Sequence, residues 1–134
     1  MVEEKGLKLR TKLESAKTLS FVNGSASEAY QAGEMLMVGS TIGVLVENVG
    51  ISGQAPTDEY PNGDEGVLVY EAEKIILPKA VGAGQSFSVG DVIYYDATNR
   101  KVCATVEGNT PCGRALESAG INDEDVLADL MVLA

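Results

Sequence analysis

The chain has 134 residues, 45 % of them hydrophobic and 22 % charged, which at about 100–200 residues per domain makes one folded unit, or one with an arm. The composition excludes disorder over most of the length, and no apolar run approaches the ~20 residues that cross a bilayer. A net charge of −10 disfavours phosphate backbones and anionic lipid, and the absence of histidine removes the commonest general base, metal ligand and nucleophile partner.

Residues 1–17 form a basic arm. Lys5, Lys8, Arg10, Lys12 and Lys17 stand against Glu3, Glu4 and Glu14, whereas residues 18–134 hold five basic and seventeen acidic groups. The arm has no apolar core of the signal-peptide kind, so no secretion is expected, and the sequon Asn23-Gly24-Ser25 then has no use. Leu7 and Leu9 alternate with Lys8, Arg10 and Lys12 up to Leu13, the period of a strand.

From residue 18 the chain is a series of short apolar runs punctuated by Gly, Asn, Asp and Pro, the rhythm of an all-β domain. The runs predict strands over Thr18–Val22, Glu34–Val38, Thr41–Glu47, Gly66–Leu77, Asp91–Tyr95, Lys101–Val106, Pro111–Glu117 and Val126–Leu133. Ser25–Gln31 and Leu13–Leu19 have room for a turn or two of helix, no more. Residues 52–66, with two prolines and the acids Asp58, Glu59, Asp64 and Glu65, read as a surface loop. Residues 96–100 read as a hairpin loop. In Lys101–Val106 the alternation puts Val102, Ala104 and Val106 on one face and Cys103 and Thr105 on the other. The expected fold is all-β: a compact small barrel or sandwich of about eight short strands with an extended N-terminal arm.

Few residues offer chemistry. The glycine-rich stretch 82–90 lacks the lysine of a P-loop and, with Phe87 in place of a third glycine, the dinucleotide pattern as well; it reads as a connection between strands. Lys74 after Glu71-Ala72-Glu73 is placed like the modified lysine of a carrier domain, but it lies inside an apolar run without turn residues. The acids of residues 58–65 and 122–129 lack the spacing that wraps a calcium ion and read as solvated turns. Cys103 and Cys112 are too few for a zinc site. A bridge across a hairpin turning near Glu107-Gly108 and two free, half-buried thiols both stay open. No metal, no cofactor and no catalytic residue is expected, and the chain reads as no enzyme.

Taken in order, Ile42–Asn48, Gly66–Ala72 leading to Leu77-Pro78-Lys79, Val89–Ala97, Lys101-Val102 and Gly108–Leu116, followed by a last strand over Asp125–Leu133, form a pattern that resembles the small phage head proteins of the capsid decoration, or cement, family. That group is often mislabelled as a recombinase; the missing P-loop lysine argues against such an activity here. The likeness covers residues 18–134. It implies a virion structural protein that binds the outer surface of an assembled capsid and stabilises it by bridging neighbouring capsomers. Its implied partners are the major capsid protein and its own copies, as a homotrimer at three-fold and quasi-three-fold positions, with no nucleic acid and no membrane. The basic arm and the acidic loop 52–66 are departures from the shorter family members.

For the arm, the expectation is a groove on the shell or on a neighbouring subunit, where Lys5, Lys8, Arg10 and Lys12 pair with carboxylates and Leu7, Leu9 and Leu13 anchor between them. The simpler arrangement has the arm folded back on its own acidic body. Two other functions fit the residues less well: a phage tail or tube component, and a small β-barrel carrier or ligand-binding domain.

Overall fold

The computed structural model describes the backbone of Val2–Glu4 and Leu7–Leu9 and all of residues 16–131. Ten strands follow in order: β1 (Val2–Glu4), β2 (Leu7–Leu9), β3 (Lys17–Val22), β4 (Met35–Val38), β5 (Thr41–Leu45), β6 (Glu65–Pro78), β7 (Val92–Asp96), β8 (Lys101–Cys103), β9 (Thr110–Ala115) and β10 (Asp125–Leu130). Every ladder between them is antiparallel, and β3 to β10 make a nearly closed, barrel-shaped sheet. The all-β small barrel read from the sequence is the fold.

The long strand β6 organises the rest. Its first half pairs with β3 on one edge and β5 on the other, with β4 outside β5. Its second half pairs with β10, and the sheet continues through β9 and β7 to β8. A parallel bridge between Lys79 and Val102 then returns β8 to the end of β6, with the Ala80 N–H donating to the Val102 oxygen at 2.8 Å. This bridge closes the ring.

Alternation explains which side chains fill it. Val126, Ala128 and Leu130 of β10 and Ile93 and Tyr95 of β7 point inward at every second position, onto Ile75 and Leu77 of β6. Strands β4, β5 and β6 are apolar at consecutive positions because both their faces are covered. Met35, Val44 and Val69 face the barrel core, whereas Leu36, Leu45 and Leu68 join Val49 in a second cluster against Phe21 and Tyr30. A continuous apolar run is the mark of such a strand. At Gly113 a Cβ would run into the main-chain oxygen of Asp129, so the approach of β9 to β10 requires glycine.

Three local expectations change. Ser25–Gln31 holds no helix. Instead the Asn23 side chain donates to Glu28 O at 2.8 Å and Gly50 O at 2.9 Å and accepts from Ser25 N, pinning an irregular loop. Lys17–Leu19 belongs to β3, while Leu13–Ser15 lies outside the described residues. The predicted strand Lys101–Val106 stops at Cys103, because Gln85 takes over the next backbone: its Oε1 accepts from Ala104 N at 2.8 Å. Val102 and Cys103 are consequently both buried, and Val106 is exposed.

Candidate functional site

Among the described residues, nothing gathers three or more His, Cys, Asp or Glu side chains in a position to hold a metal ion. The positions singled out for chemistry are instead structural fastenings. Lys74 has φ 56° and sits in a β-bulge where Glu73 and Lys74 together face Asp129. Its N–H donates to the Asp129 carboxylate at 3.0 Å. Lys74 therefore lies at a kink inside β6, not at the hairpin tip a carrier lysine needs. Beside the bulge, Lys17, Glu71, Ala72, Glu73, Asp129, Leu130 and Met131 line a groove of about 370 Å³. Lys17 and Glu71 pair across it at 3.0 Å, an ion pair that holds the Lys17 pKa above the ordinary lysine value.

The cysteines do not face each other across a hairpin. Strand β7 lies between β8 and β9, and Tyr94 pairs with Cys103 on one side and Pro111 on the other. Both thiols are free and fully buried rather than half-buried. Burial raises the pKa of each, that of Cys112 to about 12, so neither is an activated nucleophile. Asn23 of the sequon is 5 % exposed with its amide group committed to the loop, and it offers no acceptor for a glycan.

Two fastenings escaped the sequence. Lys79 is 0 % exposed, its ammonium donating to Ala80 O at 2.8 Å and Asp123 O at 3.2 Å and lying 5.8 Å from the Phe87 ring centre. Burial lowers its pKa, and the charge of Asp123 opposes that shift. The only advance signal was a lysine ending the apolar run of β6. Arg100, with φ 56°, closes the β7–β8 hairpin. Its guanidinium pairs with Glu28 at 3.0 Å and Glu34 at 3.4 Å and stacks 5.1 Å from the Tyr30 ring centre. It ties the hairpin to the loop that Asn23 pins. These partners are far from Arg100 in sequence, so no motif could announce it.

Of the arm residues, Leu7, Lys8 and Leu9 form β2, whose backbone joins β6 through Leu9 opposite Ile75 and pairs with β1. Lys5, Arg10, Lys12 and Leu13 lie outside the described residues. The acidic loop is held by its own bonds, from Gly50 N to Gly63 O at 2.9 Å and from Gly53 N to the Asp64 carboxylate at 3.0 Å. Asp58 and Glu59 are left exposed.

These features describe an acidic β-body whose buried polar side chains, Asn23 and Lys79, hold its loops. A family model described as phage cement protein matches residues 13–130. No curated protein and no solved structure is significantly similar to the chain.

Proposed function

Because the chain belongs to the phage cement protein family, and so has a structural role associated with the phage capsid, we propose that it binds the outer surface of the assembled shell and bridges neighbouring capsomers. The family match over residues 13–130 is the observation that carries this reading. The family is a structural one, and the reading is of a protein without catalysis, cofactor or nucleic-acid contact. The partner is the major capsid protein, met by three copies of this chain at three-fold and quasi-three-fold positions.

The physics asks for little chemistry. A protein that binds only the assembled lattice shifts its stability by mass action, and linked copies gripping several neighbours raise effective concentration without better contacts. A nearly closed barrel with tied loops suits this, since little conformational freedom is lost on docking. In this reading the arm, whose Leu7–Leu9 backbone adds to the edge of β6 in its own chain, leaves that edge on docking for a groove of the shell or of a neighbouring subunit, with Leu7, Leu9 and Leu13 as anchors and Lys5, Lys8, Arg10 and Lys12 on carboxylates. Exposed charge pairs contribute only about 0–1 kcal/mol each, so the leucines carry more.

The test is sedimentation of the purified chain with mature shells that lack it, and with unassembled capsid protein. Binding to the shell alone, saturating at a fixed ratio, is expected; binding to neither overturns the reading. Leu7→Ser/Leu9→Ser is expected to lower occupancy more than Lys8→Ala/Lys12→Ala. Full occupancy in both would remove the arm from the interface.

A further inference from the structure

The loops at one end of the barrel differ from the rest of the surface. Strand β6 ends there, β7 and β10 begin there, and the chain leaves β9 there, so residues 79–91 and 116–124 converge, joined by Ala104 and Thr105 at the exit of β8. Three of the seven exposed large hydrophobic side chains among the described residues lie in these loops: Val81 (51 % exposed), Val89 (69 %) and Ile121 (45 %).

The loops are fastened to one another. Gly82 N donates to Ile121 O at 2.8 Å, which sets Val81 beside Ile121. Phe87 and Ala119 exchange both backbone bonds, at 2.9 and 3.0 Å. Gln85 accepts from Ala104 N and donates to Thr105 Oγ1 at 3.1 Å, fastening the exit of β8 to the same frame. Beneath them Lys79 holds Asp123 O through its ammonium and Glu124 O through its N–H. Aliphatic side chains held out on a cross-tied frame meet the usual description of a docking surface, apolar and already organised.

Charge defines what can cover it. The same loops carry four exposed carboxylates, Asp91, Glu117, Asp123 and Glu124. Against them stand Lys79, which is buried, and Arg114, whose guanidinium donates to Gly90 O at 3.2 Å. A second copy presenting the same end would set these carboxylates against their equals, and like charges at close range suppress that pairing. The complementary partner has an apolar centre surrounded by lysine and arginine.

We propose that this end of the barrel is the foot on which the protein stands on the shell, its occupant a capsid surface with an apolar centre and a basic surround. The proposal rests on the capsid-binding reading above and names the surface that performs it.

The experiment compares the full chain with two variants, each sedimented with shells lacking the protein over a range of salt. Val81→Ser/Val89→Ser/Ile121→Ser removes the apolar contact, and Glu117→Gln/Glu124→Gln removes charge without changing shape. All five positions are exposed, and an unchanged urea midpoint confirms each fold. The serine variant is expected to lose about tenfold or more in affinity. The glutamine variant is expected to bind more weakly at low salt, with a flatter salt dependence. If the unaltered chain binds and both variants match it, the foot is overturned while capsid binding stands. Loss in the serine variant alone overturns the basic surround. Failure of the unaltered chain to bind overturns the capsid-binding reading and the foot with it.

Discussion

The ammonium of Lys79 donates to the main-chain oxygen of Asp123 at 3.2 Å, joining residues 44 apart in the chain at the rim where the barrel closes. The same nitrogen holds Ala80 O at 2.8 Å, so one buried cation fastens the end of β6 to the loop entering β10. Its partners are carbonyl dipoles and an aromatic face, and the nearest charge acting on it is that of Asp123.

Lys79→Met keeps the length of the stem and removes the donor. Two carbonyls at the rim lose a charge-assisted bond, which costs about 1–3 kcal/mol. The urea midpoint is expected to fall with the slope unchanged. The pH dependence carries a sign. Because the folded pKa lies below the ordinary 10.5, the unfolded chain binds the extra proton between the two values. The Lys79 contribution to stability therefore rises with pH across that window. The stability difference between wild type and Lys79→Met is expected to change toward pH 10.5 in favour of the wild type; a constant difference would contradict the burial of the charge.

The thiols give the opposite slope. Burial moves Cys112 from 9.0 to about 12, so from pH 9 upward the unfolded chain loses this proton before the folded one does. Stability contributed by Cys112 falls across that window, and the alkaline fall is expected to be shallower in Cys112→Ala, read from urea midpoints at pH 8–10. At neutral pH a thiol reagent is expected to label neither cysteine in the folded protein and both in urea. Rapid labelling of the native chain would be at odds with the burial of Cys103 and Cys112.

Arg100 combines a favourable side chain with an unfavourable backbone. Its guanidinium meets Glu28, Glu34 and Tyr30, while φ 56° costs about 1–2 kcal/mol for a residue with a Cβ. Arg100→Ala is expected to lose the contacts and keep the strain, and Arg100→Gly to lose the contacts and relieve it. Arg100→Gly should then unfold at higher urea than Arg100→Ala, by about 1 kcal/mol in stability. Both should make residues 24–34 more open to proteolysis than in the wild type.

The bulge at Lys74 makes a similar separation possible. Lys74→Gly removes a left-handed lysine and keeps the N–H bond to Asp129, so a gain of about 0.5–1 kcal/mol is expected. Asp129→Ala removes the acceptor and is expected to cost about 1 kcal/mol. Equal effects of Asp129→Ala in the wild-type and Lys74→Gly backgrounds would show that the bond, not the strain, sets the cost.

Patterning along the chain announced the strands and the class of fold. Apolar runs broken by Gly, Asn, Asp and Pro located all eight strands from β3 to β10, because burial on alternate faces and the demands of turns act over a few neighbours. The order of the β motifs carried the family resemblance. How the ring closes, why Lys101–Val106 stops at Cys103, and that β7 stands between the two cysteines became visible only in the folded chain. The folded chain alone placed Lys79 inside the rim and Arg100 among Glu28, Tyr30 and Glu34, and brought Val81, Val89 and Ile121 to one end. Those relationships join residues tens of positions apart, and local patterning has no term for a contact that exists only once the chain has returned on itself.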